Sequence, residues 1–236
     1  MASARSASEE SESGTVPETL ISSIRVLIVD DHTTFVELLA DAINREPQLC
    51  SVGTADSVQG GVEQFAALCP DVVVMDYHLS DGSGLDAAAR ILADSPSTRI
   101  IMLTGDPTAE ALERAAAIGI CAFLPKDGSL ATMLSTLRHA RTGGILVHPS
   151  LLVQFGASRS SENRSSTPAL TLRELEVLQL MSEGSDVRTN ARLLGIAENT
   201  CRGYVKSILA KLGAHSQLEA VVTAHRFGLI RTSARG

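Results

Sequence analysis

The stretch Val72-Val73-Val74-Met75-Asp76-Tyr77-His78-Leu79-Ser80-Asp81-Gly82 decides the fold. Four unbroken apolar residues follow Pro70-Asp71 and run directly into an acid and a loop of turn formers. A short β-branched run of this kind is the pattern of a strand buried on both faces of a parallel sheet. Asp76 then stands where the strand runs out, at the carboxyl edge, where open α/β folds keep their sites. A single acid there more often caps the loop that follows. Asp76 has company, which shows on reading outward from it.

Upstream, Ile24-Arg25-Val26-Leu27-Ile28-Val29 is a second buried-strand run, ending in the pair Asp30-Asp31. A helix follows, with Phe35, Leu38, Leu39, Ala42 and Ile43 at three- and four-residue spacing. Leu49–Thr54 reads as a strand and Val58–Leu68 as a helix leading to the strand before Asp76. Downstream, Gly82 and Gly84 punctuate a loop before a helix over Leu85–Ala93. Arg99–Leu103 is a strand ending in Thr104-Gly105, and Thr108–Ile118 is a helix closed by Gly119. Cys121–Leu124 is a last strand ending near Lys126, and Leu130–Arg141 a last helix. Five strand–helix units imply a doubly wound, five-stranded parallel sheet.

The flanks read differently. Residues 1–23, rich in Ser and Glu, are expected to form a disordered tail, the sheet domain covers 24–145, and 146–167 is a linker whose later part turns to Ser, Arg, Asn and Thr. From 168 to 236 the strand pattern gives way to helices over Arg173–Glu183, Val187–Leu194, Glu198–Leu212 and Gln217–Phe227, a small all-α domain. Thr171-x-x-Glu174 and Ser216-x-x-Glu219 have the form of capping boxes.

Charge divides the same way: residues 24–150 carry −8 and residues 168–236 carry +3, within a total of −7. Different partners for the two halves follow, although +3 alone is weak support for nucleic acid. With aromatics at 3% and no Trp, the core must be aliphatic. Cys50, Cys69, Cys121 and Cys201 lack metal-ligand spacing and are expected as buried free thiols in a reducing compartment. No apolar run reaches membrane-span length and the start lacks a signal pattern, so a cytoplasmic protein without membrane contact is expected.

The strand ends bring together Asp30, Asp31, Asp76, Thr104 and Lys126. Three crowded carboxylates raise one another's pKa unless a cation intervenes. Mg²⁺ suits them, because it takes a few carboxylates and keeps waters and a phosphate oxygen as further ligands. With a hydroxyl and an ammonium nearby, such a site is equipped to accept a phosphoryl group.

On these residues the sheet domain resembles the receiver domain of a two-component response regulator. The resemblance implies Asp30 and Asp31 as the acidic metal pair and Asp76 as the phosphorylated aspartate. It implies Thr104 as the switch hydroxyl, Lys126 as the paired lysine and Phe123 as the switch aromatic. His78 stands where the family offers a backbone carbonyl to the metal, and Ser80 where it often has proline.

In the helical end, Val187–Leu194, Gly195-Ile196-Ala197 and Glu198–Leu212 have the proportions of a helix–turn–helix. Cys201, Val205, Ile208, Leu209 and Leu212 fall on one face of the second helix, and Asn199, Arg202, Gly203 and Lys206 on another. Leu170-Thr171, Arg173-Glu174, Glu176-Val177-Leu178, Gly184, Ala191, Leu194, Ile196, Thr200, Ile208, Lys211-Leu212 and Ala220-Val221 resemble the NarL/LuxR-type DNA-binding domain. The resemblance implies a recognition helix at Glu198–Leu212, with Asn199, Thr200, Arg202, Gly203 and Lys206 facing DNA, and a dimerisation surface on the helix after Ser216. Departures are Asn190 at an apolar core position, Cys201 for valine, Tyr204 for histidine, Gln217 for arginine, and Ala197 as a poor N-cap.

The function these readings imply is a dimeric, DNA-binding transcriptional response regulator, switched by Mg²⁺-dependent phosphorylation of Asp76 from a sensor histidine kinase. It is not expected to be an enzyme beyond its own phosphoryl chemistry. A rival is a regulator whose receiver answers a ligand or partner without phosphorylation. A phosphatase using Asp76 as nucleophile would be expected to carry a second acid two residues on, where His78 stands.

Overall fold

The computed structural model describes residues 23–106, 108–140, 146–147 and 168–230. Nearly all of the expected tail and of the linker lies outside them. The first half runs β1 (Ile24–Val29), α1 (Thr33–Asn44), β2 (Leu49–Ala55), α2 (Val58–Leu68), β3 (Val72–Asp76), β4 (His78–Leu79), β5 (Gly82–Ser83), α3 (Gly84–Asp94), β6 (Arg99–Thr104), α4 (Ala109–Ala117), β7 (Ala122–Pro125) and α5 (Leu130–Ala140). A two-residue strand, β8 (Leu146–Val147), pairs with β7 at the sheet edge, where the sequence suggested only a connector. The parallel sheet has the order β2-β1-β3-β6-β7-β8, and β4 and β5 form a separate antiparallel pair.

Strand pleating sends alternate side chains to opposite faces, and both faces are covered. Leu27, Val29, Val73, Met75, Ile100, Met102 and Phe123 meet the buried sides of α2, α3 and α4. Val26, Ile28, Val72, Val74, Ile101, Leu103 and Leu124 meet α1 and α5. This two-sided burial is why the strands read as continuous apolar runs rather than alternating ones.

The helical half comprises α6 (Leu172–Ser182), α7 (Val187–Leu194), α8 (Glu198–Leu212) and α9 (Gln217–Arg226). Thr171 and Glu174 form the expected reciprocal capping box at α6. The second box differs from expectation. Ser216 Oγ accepts from the Glu219 amide at 3.0 Å, but the Glu219 carboxylate accepts from the His215 amide at 2.6 Å instead of from Ser216. Ala197 caps α8 with no side-chain bond, as its methyl requires. Asn190 is fully buried, donating Nδ2 to the Ser185 carbonyl at 3.3 Å while Oδ1 has no partner. Replacing it removes an unsatisfied carbonyl from the core, so Asn190→Leu is expected to stabilise this half by about 1–2 kcal/mol in urea unfolding.

The cysteines need a correction. Cys121 and Cys201 are buried, but Cys50 is half-buried and Cys69 is exposed. Cys69 ends α2 in the left-handed conformation (φ 47°), which turns its side chain outward while its carbonyl accepts from Arg25 Nη1 at 3.2 Å. Burial pushes the Cys121 thiol up to about 11, which leaves it unreactive.

Candidate functional site

Register places the acids. Val29 pairs with Met75, so the next residues along, Asp30 and Asp76, lie side by side at the sheet edge. Asp76 pairs with Leu103 and Thr104 pairs with Pro125, which sets Thr104 and Lys126 beyond the same edge. The Lys126 amide donates to the Thr104 carbonyl at 2.8 Å and fixes that strand end.

The Lys126 ammonium spans the pocket. It lies 2.7 Å from Asp76 Oδ2, 3.0 Å from Asp30 Oδ1 and 2.8 Å from Asp30 Oδ2. Asp30 and Asp76 are buried at 3% and 2% exposure, so this ammonium, rather than water, is their main counterweight. Burial and the charge of Asp30 hold the Asp76 carboxyl above the usual carboxylate range, against the opposing pull of Lys126. Burial alone would lower the Lys126 pKa, yet its bonds to Asp30 and Asp76 raise it, so it stays charged.

One ligand atom from each of Asp30, Asp31, His32 and Asp76 lies within 4.8 Å of all the others. Asp30 Oδ2 and Asp31 Oδ1 are buried oxygens without a hydrogen bond, although Lys126 Nζ lies 2.8 Å from the first and His32 Nδ1 3.0 Å from the second. Hard, under-satisfied carboxylate oxygens at this spacing fit a small divalent ion. The His78 side chain is exposed, outside that group. Thr104 is fully buried, its Oγ1 accepting from the Asp106 amide at 3.1 Å. Phe123 is also fully buried, edge-on to Tyr77 at a centroid separation of 6.5 Å.

Three supports of this site were not picked out by sequence reasoning. Gly84, read as loop punctuation, is the first residue of α3 and leaves no room for a side chain: a Cβ would lie 1.8 Å from the Asp76 carbonyl oxygen. Asp81 ties the loop after Asp76 to α2, accepting from the amides of Val58 at 2.7 Å and Gln59 at 3.3 Å. Together with the β4–β5 pair, this holds the loop in which Ser80 replaces proline. His32 is the third, its Nδ1 3.0 Å from both Asp30 Oδ1 and Asp31 Oδ1. Its adjacency to Asp30-Asp31 was the available signal.

In the helical half, Cys201, Val205, Ile208 and Leu212 are buried, while Asn199, Thr200, Arg202, Gly203 and Lys206 are all exposed. The two faces expected of α8 are therefore separate. The back of α8 is anchored by Glu174, 3% exposed, which accepts from Ser207 Oγ at 2.6 Å and pairs with Lys211 Nζ at 2.7 Å. Burial opposes its ionisation, but these bonds and those from Thr171 bring its pKa down to about 2. A lowered folded pKa stabilises above the unfolded value and is lost as pH falls through the folded one. The stability of this half should therefore decline from about pH 4.5 towards about 2, and Glu174→Gln should flatten that decline at a cost of about 2–3 kcal/mol near neutrality. Urea unfolding followed across that range checks both.

The two halves touch. The face of α9 packs on α4, and Ser216 Oγ, at the start of α9, donates to the Ala116 carbonyl at 3.1 Å. No helix among the described residues is long and apolar enough to cross a membrane.

Comparison with known proteins agrees with this division. A family model of the response regulator receiver domain matches residues 26–138, and a model of bacterial regulatory proteins of the luxR family matches residues 168–224. The transcriptional regulatory protein YdfI of Bacillus subtilis is 32% identical over 211 residues, 87% of this chain and 97% of that protein. The DNA-binding transcriptional activator DevR/DosR of Mycobacterium tuberculosis is 30% identical over 203 residues, 85% of this chain and 94% of that protein. Among solved structures, RcsB dimers bound to two parallel DNAs share the fold, with a TM-score of 0.54 at 21% identity over 87% of this chain and 99% of that one.

Proposed function

The chain belongs to the DNA-binding response regulators of the two-component family, which join a receiver domain to a luxR-type domain, and on that premise we propose that Asp76 is its phosphoryl acceptor. The observation that carries this reading is the bridge of Lys126 between Asp76 and Asp30 inside a buried acidic pocket. A sensor histidine kinase donates the phosphoryl group: its phosphorus–nitrogen bond breaks as a bond forms to a carboxylate oxygen of Asp76. Asp30, Asp31 and Asp76, with the His78 backbone carbonyl, would hold Mg²⁺. Bound there, it screens negative charge on the incoming oxygens. Lys126 is placed to follow those oxygens, and Thr104 to turn its hydroxyl towards them while Phe123 repacks.

The signal has a short route onward. Thr104 ends β6, and α4, which starts at Ala109, is the next element along the chain. A shift at Thr104 therefore bears on the helix that α9 rests against. The recognition face of α8 is already exposed in this arrangement, whereas α9 is engaged by α4. Control consequently acts on pairing: release of α9 lets two chains form a homodimer and set two recognition helices on double-stranded DNA. Two states of unequal population, biased by phosphorylation, are enough for this. The setting is the cytoplasm, where kinase and DNA meet.

The test is intact-mass measurement after treatment with a small phosphodonor and Mg²⁺. A single phosphoryl adduct on the wild type that is lost in Asp76→Asn supports the assignment, and an adduct persisting in Asp76→Asn refutes it. Failure of the wild type to bind Mg²⁺ or take the label would favour a receiver that answers a ligand or partner instead.

A further inference from the structure

The helix–turn–helix, from Val187 to Leu212, contains a single acid, Glu198, and it is the first residue of α8. Its two carboxylate oxygens serve two cations on different helices. Oε1 lies 3.7 Å from Nε of Arg188 on α7, and Oε2 lies 3.7 Å from Nη2 of Arg202, one turn further along α8. All three residues are exposed, beside the exposed Asn199 and Lys206. An acid in a first turn favours the helix through the positive end of its dipole. That accounts for an acid at this position, but not for its place between two arginines. With residues 168–236 at only +3, one negative charge on this face is a large share of what DNA would meet.

Exposed ion pairs at this separation are weak and exchange readily. A phosphate therefore competes with Glu198 for both guanidiniums, and the carboxylate it displaces stays nearby and repels it. In a helix–turn–helix the first helix crosses the DNA backbone, while the start of the second meets base edges. Arg188 is placed for phosphate and Glu198 for the groove. The one base contact open to a carboxylate there is to accept from the amino group of cytosine. We propose that Glu198 sets sequence discrimination: it holds Arg188 and Arg202 back from phosphates on arbitrary DNA, and is itself satisfied only where a cytosine amino group donates to it. On a sequence without that donor the charge is left unpaired among phosphates, so the penalty falls on wrong sites. The inference rests on the exposed face of α8 being the one that meets DNA.

The experiment measures binding of the full chain by fluorescence anisotropy between about 50 and 200 mM salt. Two duplexes serve as probes: one that wild type enriches from a random library, and an unselected random duplex. Glu198→Gln is expected to bind the unselected duplex about five- to tenfold more tightly, with a salt dependence steeper by about one charge. It should bind the selected duplex no more tightly, so discrimination falls about as much. Arg188→Ala should weaken both, with a salt dependence shallower by about one charge. A repeated selection with Glu198→Gln should lose a cytosine preference that wild type shows. Glu176→Gln is the control for charge alone, since Glu176 is 48% exposed against 46% for Glu198 but pairs with Arg173 inside α6; it should stay within about twofold of wild type. Wild-type affinity and salt dependence for Glu198→Gln on the unselected duplex would overturn the proposal, as would an equal gain on both duplexes. Lys206→Ala separates this from the reading beneath it. If it weakens binding while Glu198→Gln changes nothing, the recognition face stands and the role of Glu198 falls. If neither change moves binding, the face itself is misassigned and the inference falls with it.

Discussion

Lys126→Met is expected to destabilise the receiver by about 3–5 kcal/mol, the cost of leaving buried carboxylates without their cation. The ammonium makes contacts of 2.7–3.0 Å with Asp30 and Asp76, and both acids are almost wholly buried. Methionine keeps most of the length and apolar bulk of the side chain, so the loss reports charge rather than volume. Two further signs follow. Asp76 already lies above the usual carboxylate range, and without Lys126 it rises further. A raised folded pKa stabilises below the unfolded value and is lost as pH increases through the folded one. The deficit of the variant should therefore be small in acid and grow as pH rises through the folded pKa of Asp76. Added Mg²⁺ should recover more stability in the variant than in wild type, because it restores a missing counter-charge. Urea unfolding with and without Mg²⁺ reads all of this. A loss below about 1 kcal/mol, indifferent to Mg²⁺, would mean that the carboxylates are solvated and the pocket is misread.

Gly84→Ala should cost about 3 kcal/mol and slow phosphodonor labelling on the order of a hundredfold. The added methyl would lie 1.8 Å from the Asp76 carbonyl oxygen and 3.0 Å from its carbonyl carbon. Those atoms are backbone and cannot rotate aside. Either the start of α3 backs away, breaking the 2.9 Å bond from the Gly84 amide to the Tyr77 carbonyl, or the end of β3 moves and takes Asp76 with it. Both displace the acceptor from Lys126. Gly203→Ala is the control: nothing lies within 4 Å of its Cβ position, and in a helix interior it should add about 0.5–1 kcal/mol. Labelling of Gly84→Ala at the wild-type rate would show that α3 does not position Asp76.

Much of this was legible along the chain. α7 and α8 have the limits that periodicity and Gly195 suggest, and the other C-terminal helices differ by a residue at their ends. Asp30, Asp76, Thr104 and Lys126 stand at the strand ends where apolar runs stop. The burial of Asn190 agrees with the family resemblance, which sets it at an apolar core position. The second capping box misled because Ser216 and Glu219 have the right spacing, while the choice of amide for Glu219 depends on how the chain enters α9. Gly84 resembled any loop glycine, since a close approach by a backbone eight residues earlier leaves no mark on its neighbours.

By itself the sequence determined the alternation of strands and helices, the two-sided burial of the sheet, the acids at its edge and the two faces of α8. Each of these follows from the period of apolar residues or from a cap within a turn of it, so neighbours suffice to encode it. Only the tertiary structure decided that Lys126 answers Asp30 and Asp76 at once, that Glu174 reaches α8 through Ser207 and Lys211, that His32 turns into the acid pocket, and that α9 leans on α4. These contacts join residues brought near by strand register and helix packing, and each charged group gains its strength from the burial that assembly creates. No local pattern carries that information, because burial belongs to the folded molecule as a whole.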